Sequence, residues 1–173
     1  MAQEPRVAVL MGSASDLPVV EEALAVLEQF GVPFEVRVLS AHRSPAAVEE
    51  FARMAEGRGL QVIIAAAGGA AHLAGVVASL TTLPVIGVPI PSERMGGMDS
   101  LLSTVQMPSG VPVACMGLGK SGARNAAVLA VQVLALSDPS LREALKRHKS
   151  ELSDAVQQQQ SAVQDLLRKR PKG

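Results

Sequence analysis

At 173 residues the chain is long enough for one domain with a real core and too short for two ordinary ones. Apolar residues make up 48%, yet there is no Trp or Tyr and there are only three Phe, so the core has to be built from Ala, Val, Leu, Ile and Met. Sixteen basic against sixteen acidic residues give no net charge, which disfavours nucleic acid or any other extended polyanion as partner. The single cysteine, Cys115, excludes an intrachain disulfide framework and a Cys-rich metal cluster, and suits a reducing, cytoplasmic setting. Residues 1–6 lack the order of a signal peptide, and no apolar run reaches the ~20 residues of a membrane span, so no membrane association is expected.

Residues 6–11 form a short Val-rich apolar run ending at Gly12 and are expected to be a buried strand. A helical pattern follows over residues 17–30, with Val20, Ala23, Leu24 and Leu27 on one stripe and Gly31 as its stop. Residues 34–39 alternate Phe34, Val36 and Val38 against Glu35 and Arg37, the pattern of a strand with one more polar face. Ser44 as N-cap and Pro45 at the first helical position open a second helix to about residue 56, its inner stripe being Val48, Phe51, Ala52 and Ala55.

Residues 62–66 are a third strand, wholly apolar, and a helix runs on to about residue 80. Strands are expected again at 84–88 and 112–116, with a short helix over 100–106 between them and an Ala-rich helix ending near residue 137. Strands that are continuous apolar runs, each separated by a helix, call for a parallel sheet covered on both faces. The expected fold is therefore a three-layer α/β/α domain over residues 1–137, with a flavodoxin-like, five-stranded parallel sheet. Right-handed crossovers gather the strand-to-helix loops, at 12–16, 40–45, 67–72, 89–99 and 116–122, along one edge.

Residues 138–173 remain. Asp138 caps a long helix with Pro139 at its first position, and Leu141, Leu145, His148, Leu152, Val156, Val163 and Leu166 make a stripe too thin for a core helix. It is expected to be an arm that packs on a neighbouring subunit; the alternative is a helix folded back on its own domain. His148 is then a packing or interface residue, and the basic end from residue 168 a solvated tail.

Chemistry is expected from the loops. At Gly12, Ser13, Ser15 and Asp16, free N–H groups and hydroxyls converge where a phosphate can sit, although the pattern is neither a GxGxxG nor a P-loop. Asp16 suits ribose hydroxyls or, equally, a helix N-cap. In the second loop Ser40, Ala41, His42 and Arg43 put an imidazole that exchanges protons near neutral pH next to a guanidinium that forks onto phosphate; a plain surface pair is the competing reading. The third loop, Ala67, Gly68, Gly69, Ala70 and Ala71, has no bulky side chain and admits a planar ligand; His72 and Leu73 close it, His72 in a ligand-binding or a structural role. Cys115 inside the fifth strand is taken as a buried thiol. No pattern supports a metal site.

Read together, these stretches resemble the class I mutases of the purine-biosynthetic PurE family, whose catalytic subunit is traditionally called phosphoribosylaminoimidazole carboxylase. The matching motifs are Met11-Gly12-Ser13 with Ser15-Asp16-Leu17-Pro18, Ser40-Ala41-His42-Arg43 with Pro45, Ala70-Ala71-His72-Leu73, Gly87-Val88-Pro89, Asp99-Ser100-Leu101, Val105-Gln106-Met107-Pro108 and Asn125-Ala126-Ala127, in one register over residues 6–136. Departures are Ala74, where the family commonly has Pro, and Cys115, where a small residue or Thr is common. The resemblance implies conversion of N5-carboxyaminoimidazole ribonucleotide into 4-carboxy-5-aminoimidazole ribonucleotide, with no ATP, metal or other cofactor. It further implies a homo-octamer whose sites are shared between subunits, and a functional link to an ATP-dependent synthetase that makes the carbamate. His42 would be the catalytic acid and base, Ser13 and Arg43 the phosphate ligands with Ser40 nearby, Asp16 the ribose ligand, and 68–73 the loop around the base and CO2.

Three other readings compete. A class II enzyme would carboxylate aminoimidazole ribonucleotide directly with CO2, but the Ala71-His72-Leu73 loop resembles class I. A flavin electron carrier would lack Trp and Tyr to stack on the ring, and a phosphoacceptor module would lack an Asp at the end of strand three.

Overall fold

Strand β1 (Val7–Met11) is buried at every position, because strands flank it on both sides and helices cover both its faces. The computed structural model describes residues 4–92, 95–168 and 170. After β1 come α1 (Leu17–Gln29), β2 (Phe34–Val38), α2 (Pro45–Met54), β3 (Val62–Gly68), α3 (Leu73–Ala78), β4 (Val85–Ile90), α4 (Met98–Val105), β5 (Ala114–Cys115), α5 (Gly119–Leu134) and α6 (Pro139–Arg168). All strand pairs are parallel, in the order β2-β1-β3-β4-β5, which is the expected flavodoxin-like arrangement.

Alternation along β1 divides the interior into two layers. Val7, Val9 and Met11 face α1 and α5 and pack with Val20, Leu27, Ala127 and Val131. Ala8 and Leu10 face α2 and α3 and pack with Val48, Phe51, Leu73 and Val77. With no large aromatic side chains to fill space, the helices come close: Ala123, Ala126, Ala127 and Ala130 of α5 are all at most 1% exposed.

Three local expectations change. Strand β5 shrinks from residues 112–116 to two residues at the sheet edge, since Pro112 has no N–H to give to the ladder. Ser44 does occupy the N-cap position of α2, but its hydroxyl donates to the Ser40 carbonyl at 3.1 Å and accepts from the Ser40 N–H, so it closes the preceding loop instead of capping the helix. Helix α2 ends at Met54, and the chain leaves it through a 3₁₀ turn (Glu56–Arg58) and Gly59 at φ 86°.

Asp138 caps α6 as expected, accepting from the N–H groups of Ser140 and Leu141. Its carboxyl is pulled down to about 2, by the Ser140 hydroxyl first and by the Arg6 guanidinium second. The Arg6 contact, 2.8 Å long, ties the root of α6 to the start of β1. Leu141 is buried and His148 packs edge-on against Phe30 at 5.4 Å, so the first turns of α6 lie on their own domain. Farther along, Leu152, Val156, Val163, Leu166 and Leu167 are at least 50% exposed. Of the basic end, Lys169 and residues 171–173 lie outside the described residues. Among the described residues no helix is long and apolar enough to cross a membrane.

Candidate active site

Because every strand is parallel, the loops after β1, β2, β3 and β4 meet at one sheet edge and enclose a cleft of about 470 Å³. It lies where the chain order reverses around β1, the position at which such sheets bind ligands. Of the residues expected to form a site, Gly12, Ser13, Ser15, Asp16, Ser40, Ala41, His42, Arg43, Ala67, Gly68, Gly69 and Leu73 line this cleft. Ala71 and His72 do not, Ala71 being buried under its own loop. Ala70 of the same small-residue loop lines it too, and Ile90, Pro91 and Ser92 line it without having been singled out. The fifth loop, at 116–122, contributes no residue to its wall. Cys115 is likewise absent from the wall: it is half-buried, and burial pushes its thiol up, in keeping with a packed thiol.

The first loop is held by a reciprocal capping box, the Ser13 hydroxyl accepting from the Ser15 N–H and the Asp16 carboxylate from the Ser13 N–H at 3.1 Å. Asp16 stands at the N-cap position of α1 but makes no side-chain cap bond there; its carboxylate completes the box that Ser13 opens on a short 3₁₀ turn (Ala14–Asp16), and its side chain also faces the cleft. It is only 8% exposed; burial pushes its carboxyl up, opposed by the Ser13 N–H, the Ser15 hydroxyl and the Arg43 charge.

Arg43 is no loose surface cation. Its Nη2 donates to the Gly12 carbonyl at 2.9 Å and its Nε to the Ser40 hydroxyl at 3.3 Å, so the guanidinium bridges the first two loops, and among the described residues its other N–H groups have no partner.

His42 finds a partner that sequence reasoning did not pair with it. Its Nε2 lies 2.8 Å from Nδ1 of His72, the rings meeting edge to face at 4.9 Å between centroids. The loops after β2 and β3 come from strands on either side of β1 and lean together over it. Of the three histidines in the chain, two thus meet at the mouth of the cleft. Gly69 turns the loop at φ 63°, in the left-handed region that favours glycine. Among the described residues no three His, Cys, Asp or Glu side chains are grouped to hold a metal ion.

This architecture has known counterparts. The family model described as AIR carboxylase matches residues 6–155. The chain is 50% identical over 165 residues to the N5-carboxyaminoimidazole ribonucleotide mutase of Pyrococcus horikoshii, an alignment covering 95% of this chain and 92% of that one. It is 53% identical over 167 residues to the protein of the same name from Mycobacterium tuberculosis, covering 96% and 95%. The crystal structure of Treponema denticola PurE superposes with a TM-score of 0.81 at 28% identity, over 91% of this chain and 98% of that one. Motifs, sheet order and full-length similarity agree that the chain belongs to the AIR carboxylase family.

Proposed function

We propose that the protein is an N5-carboxyaminoimidazole ribonucleotide mutase, moving a carboxylate from the exocyclic nitrogen of its substrate to C4 of the imidazole. The observation that carries this reading is an identity of about half, over nearly the whole chain, to proteins bearing that name. The cleft supplies the groups the reaction needs.

At the phosphate end, Ser13 and the free N–H groups of Arg43 receive the 5′-phosphate, with Ser40 fixing the guanidinium. Asp16 accepts from the ribose hydroxyls. The small residues of the 67–73 loop leave room for the imidazole ring and for CO2. His42 in its protonated form gives its proton to the carbamate nitrogen, the N–C bond breaks, and CO2 and aminoimidazole ribonucleotide are left in the cleft. The enamine carbon C4 then attacks CO2, which proximity keeps within reach. His42, now neutral, removes the C4 proton and restores both the aromatic ring and its own starting state. His72, hydrogen-bonded to His42, orients the ring and shares the proton while the carboxylate moves.

Asp16→Ala is expected to weaken nucleotide binding roughly tenfold, the loss of one charge-assisted contact, and to lower stability by about 1 kcal/mol through loss of the capping box. Calorimetric titration and thermal unfolding read the two effects separately; unchanged affinity would reject the ribose role.

The protein acts as a homo-oligomer, an octamer by its resemblance, in the cytoplasm. The exposed apolar stripe of α6, from Leu152 to Leu167, supports the arm of residues 138–173 packing on a neighbouring subunit, and the His42 loop follows an edge strand that a neighbour can cover. A separate ATP-dependent synthetase supplies the carbamate. The decisive experiment incubates purified protein, without ATP, with either the N5-carboxy nucleotide or aminoimidazole ribonucleotide plus bicarbonate. Conversion of the first supports the mutase; efficient conversion of the second alone would establish a direct carboxylase.

A further inference from the structure

The loop that carries His72 is braced by a residue outside the cleft. Helix α4 is anchored to the end of β4 by Ser100, which is 0% exposed and whose one hydroxyl hydrogen is shared between the Ile90 carbonyl at 2.7 Å and the Gly97 carbonyl at 2.9 Å. Asp99 on the same turn accepts from the Ser92 hydroxyl of the cleft wall at 2.9 Å. One turn on, the Ser103 hydroxyl reaches the neighbouring loop, accepting from the Ala71 N–H at 3.1 Å and lying 3.2 Å from the Gly69 carbonyl. Its one hydrogen is shared between that carbonyl and the Asp99 carbonyl behind it, at 2.5 Å. Among the described residues no other side chain is hydrogen-bonded to the backbone of residues 68–72.

We infer that Ser103 is a positioning residue of this enzyme, the brace that sets the Gly69–Ala71 turn and thereby the place of His72 against His42. The inference rests on the proposed mutase reading. Among the described residues the loop's own backbone bonds are Ala71 N–H to the Gly69 carbonyl and His72 N–H to the Ala70 carbonyl, and both move with the loop. Ser103 ties the loop to a helix that is itself fixed on β4. A shift of the loop by about 1 Å would break the imidazole contact, and misplacement on that scale costs up to about a hundredfold in rate. Ser103 touches none of the phosphate-end residues, so binding of the nucleotide is spared.

The test compares Ser103→Ala and Ser103→Thr with the parent chain in kinetics, thermal unfolding and imidazole nitrogen NMR. Ser103→Ala is expected to lower kcat roughly tenfold or more with KM within about twofold, and to remove the nitrogen shifts of a shared N–H···N bond between His42 and His72. Ser103→Thr keeps a hydroxyl able to bond back along the helix, and is expected to restore both. An unchanged kcat and unchanged imidazole signals in Ser103→Ala would overturn the inference, as would losses in both variants that merely follow a fall in thermal stability. If the parent chain fails to convert the N5-carboxy nucleotide, the mutase reading falls, and the imidazole signals still decide whether Ser103 sets the histidine pair.

Discussion

His42→Asn is expected to abolish turnover of the N5-carboxy nucleotide while leaving nucleotide binding within about threefold of the parent chain. Asn is close to His in size and keeps hydrogen-bonding capacity, but it neither gives nor takes a proton at working pH. One positioned acid or base is worth about 10²- to 10⁴-fold, and the proposed mechanism asks His42 to act twice in each cycle, so the fall belongs at or beyond the upper end of that range. Binding is expected to survive because the proposed phosphate ligands come from the first loop and from Arg43, whose anchor points are the Gly12 carbonyl and the Ser40 hydroxyl and not the imidazole. Steady-state assay and calorimetric titration separate the two quantities. Turnover retained within about tenfold would remove His42 from the mechanism.

Gly122→Ala is the substitution with the largest expected cost in stability. Gly122 lies in the first turn of α5, and a Cβ there would stand inside the Gly117 carbonyl group of the approaching loop. The helix has no room to retreat, because Ala126, Ala127, Ala130 and Val131 are 0% exposed against α1 and the sheet. Backbone would have to move, and overpacking at a backbone contact costs about 3 kcal/mol or more. Urea unfolding of the variant is expected to show this loss as a lower midpoint. Gly117→Ala is the control, since a Cβ there meets nothing within 4 Å and should cost less than about 0.5 kcal/mol. Equal stability of the two variants would refute the packing argument.

The strand and helix pattern was legible because burial and period coincide. Val48, Phe51, Ala52 and Ala55, expected as the inner stripe of α2, are all buried. Unbroken apolar runs at β1 and β3 marked the centre of the sheet, and the alternation in β2 marked its edge. The fifth strand was overread because apolar residues at 112–116 look alike whether or not Pro112 can pair. Loops flagged by Ser, His and Gly did gather in one cleft, since a parallel sheet leaves them no other place. Pairwise distances were not legible. His42 and His72 are thirty positions apart on loops from non-adjacent strands, and only the β2-β1-β3 order brings them together. The hint available was that two of the three histidines occupy equivalent strand-end positions. Ser103 carried no signal at all, because a serine within a short helix looks like ordinary surface until its neighbour across the sheet edge is known.

The contact between His42 and His72 also makes two loops answer to one another. At 2.8 Å one ring nitrogen presents a lone pair to the other's N–H, so a ring turned by its own loop turns its partner or loses it. The two loops leave β2 and β3 with β1 between them, and the bond therefore spans three strands at the sheet edge. A displacement that begins at either strand end reaches the other through the imidazoles.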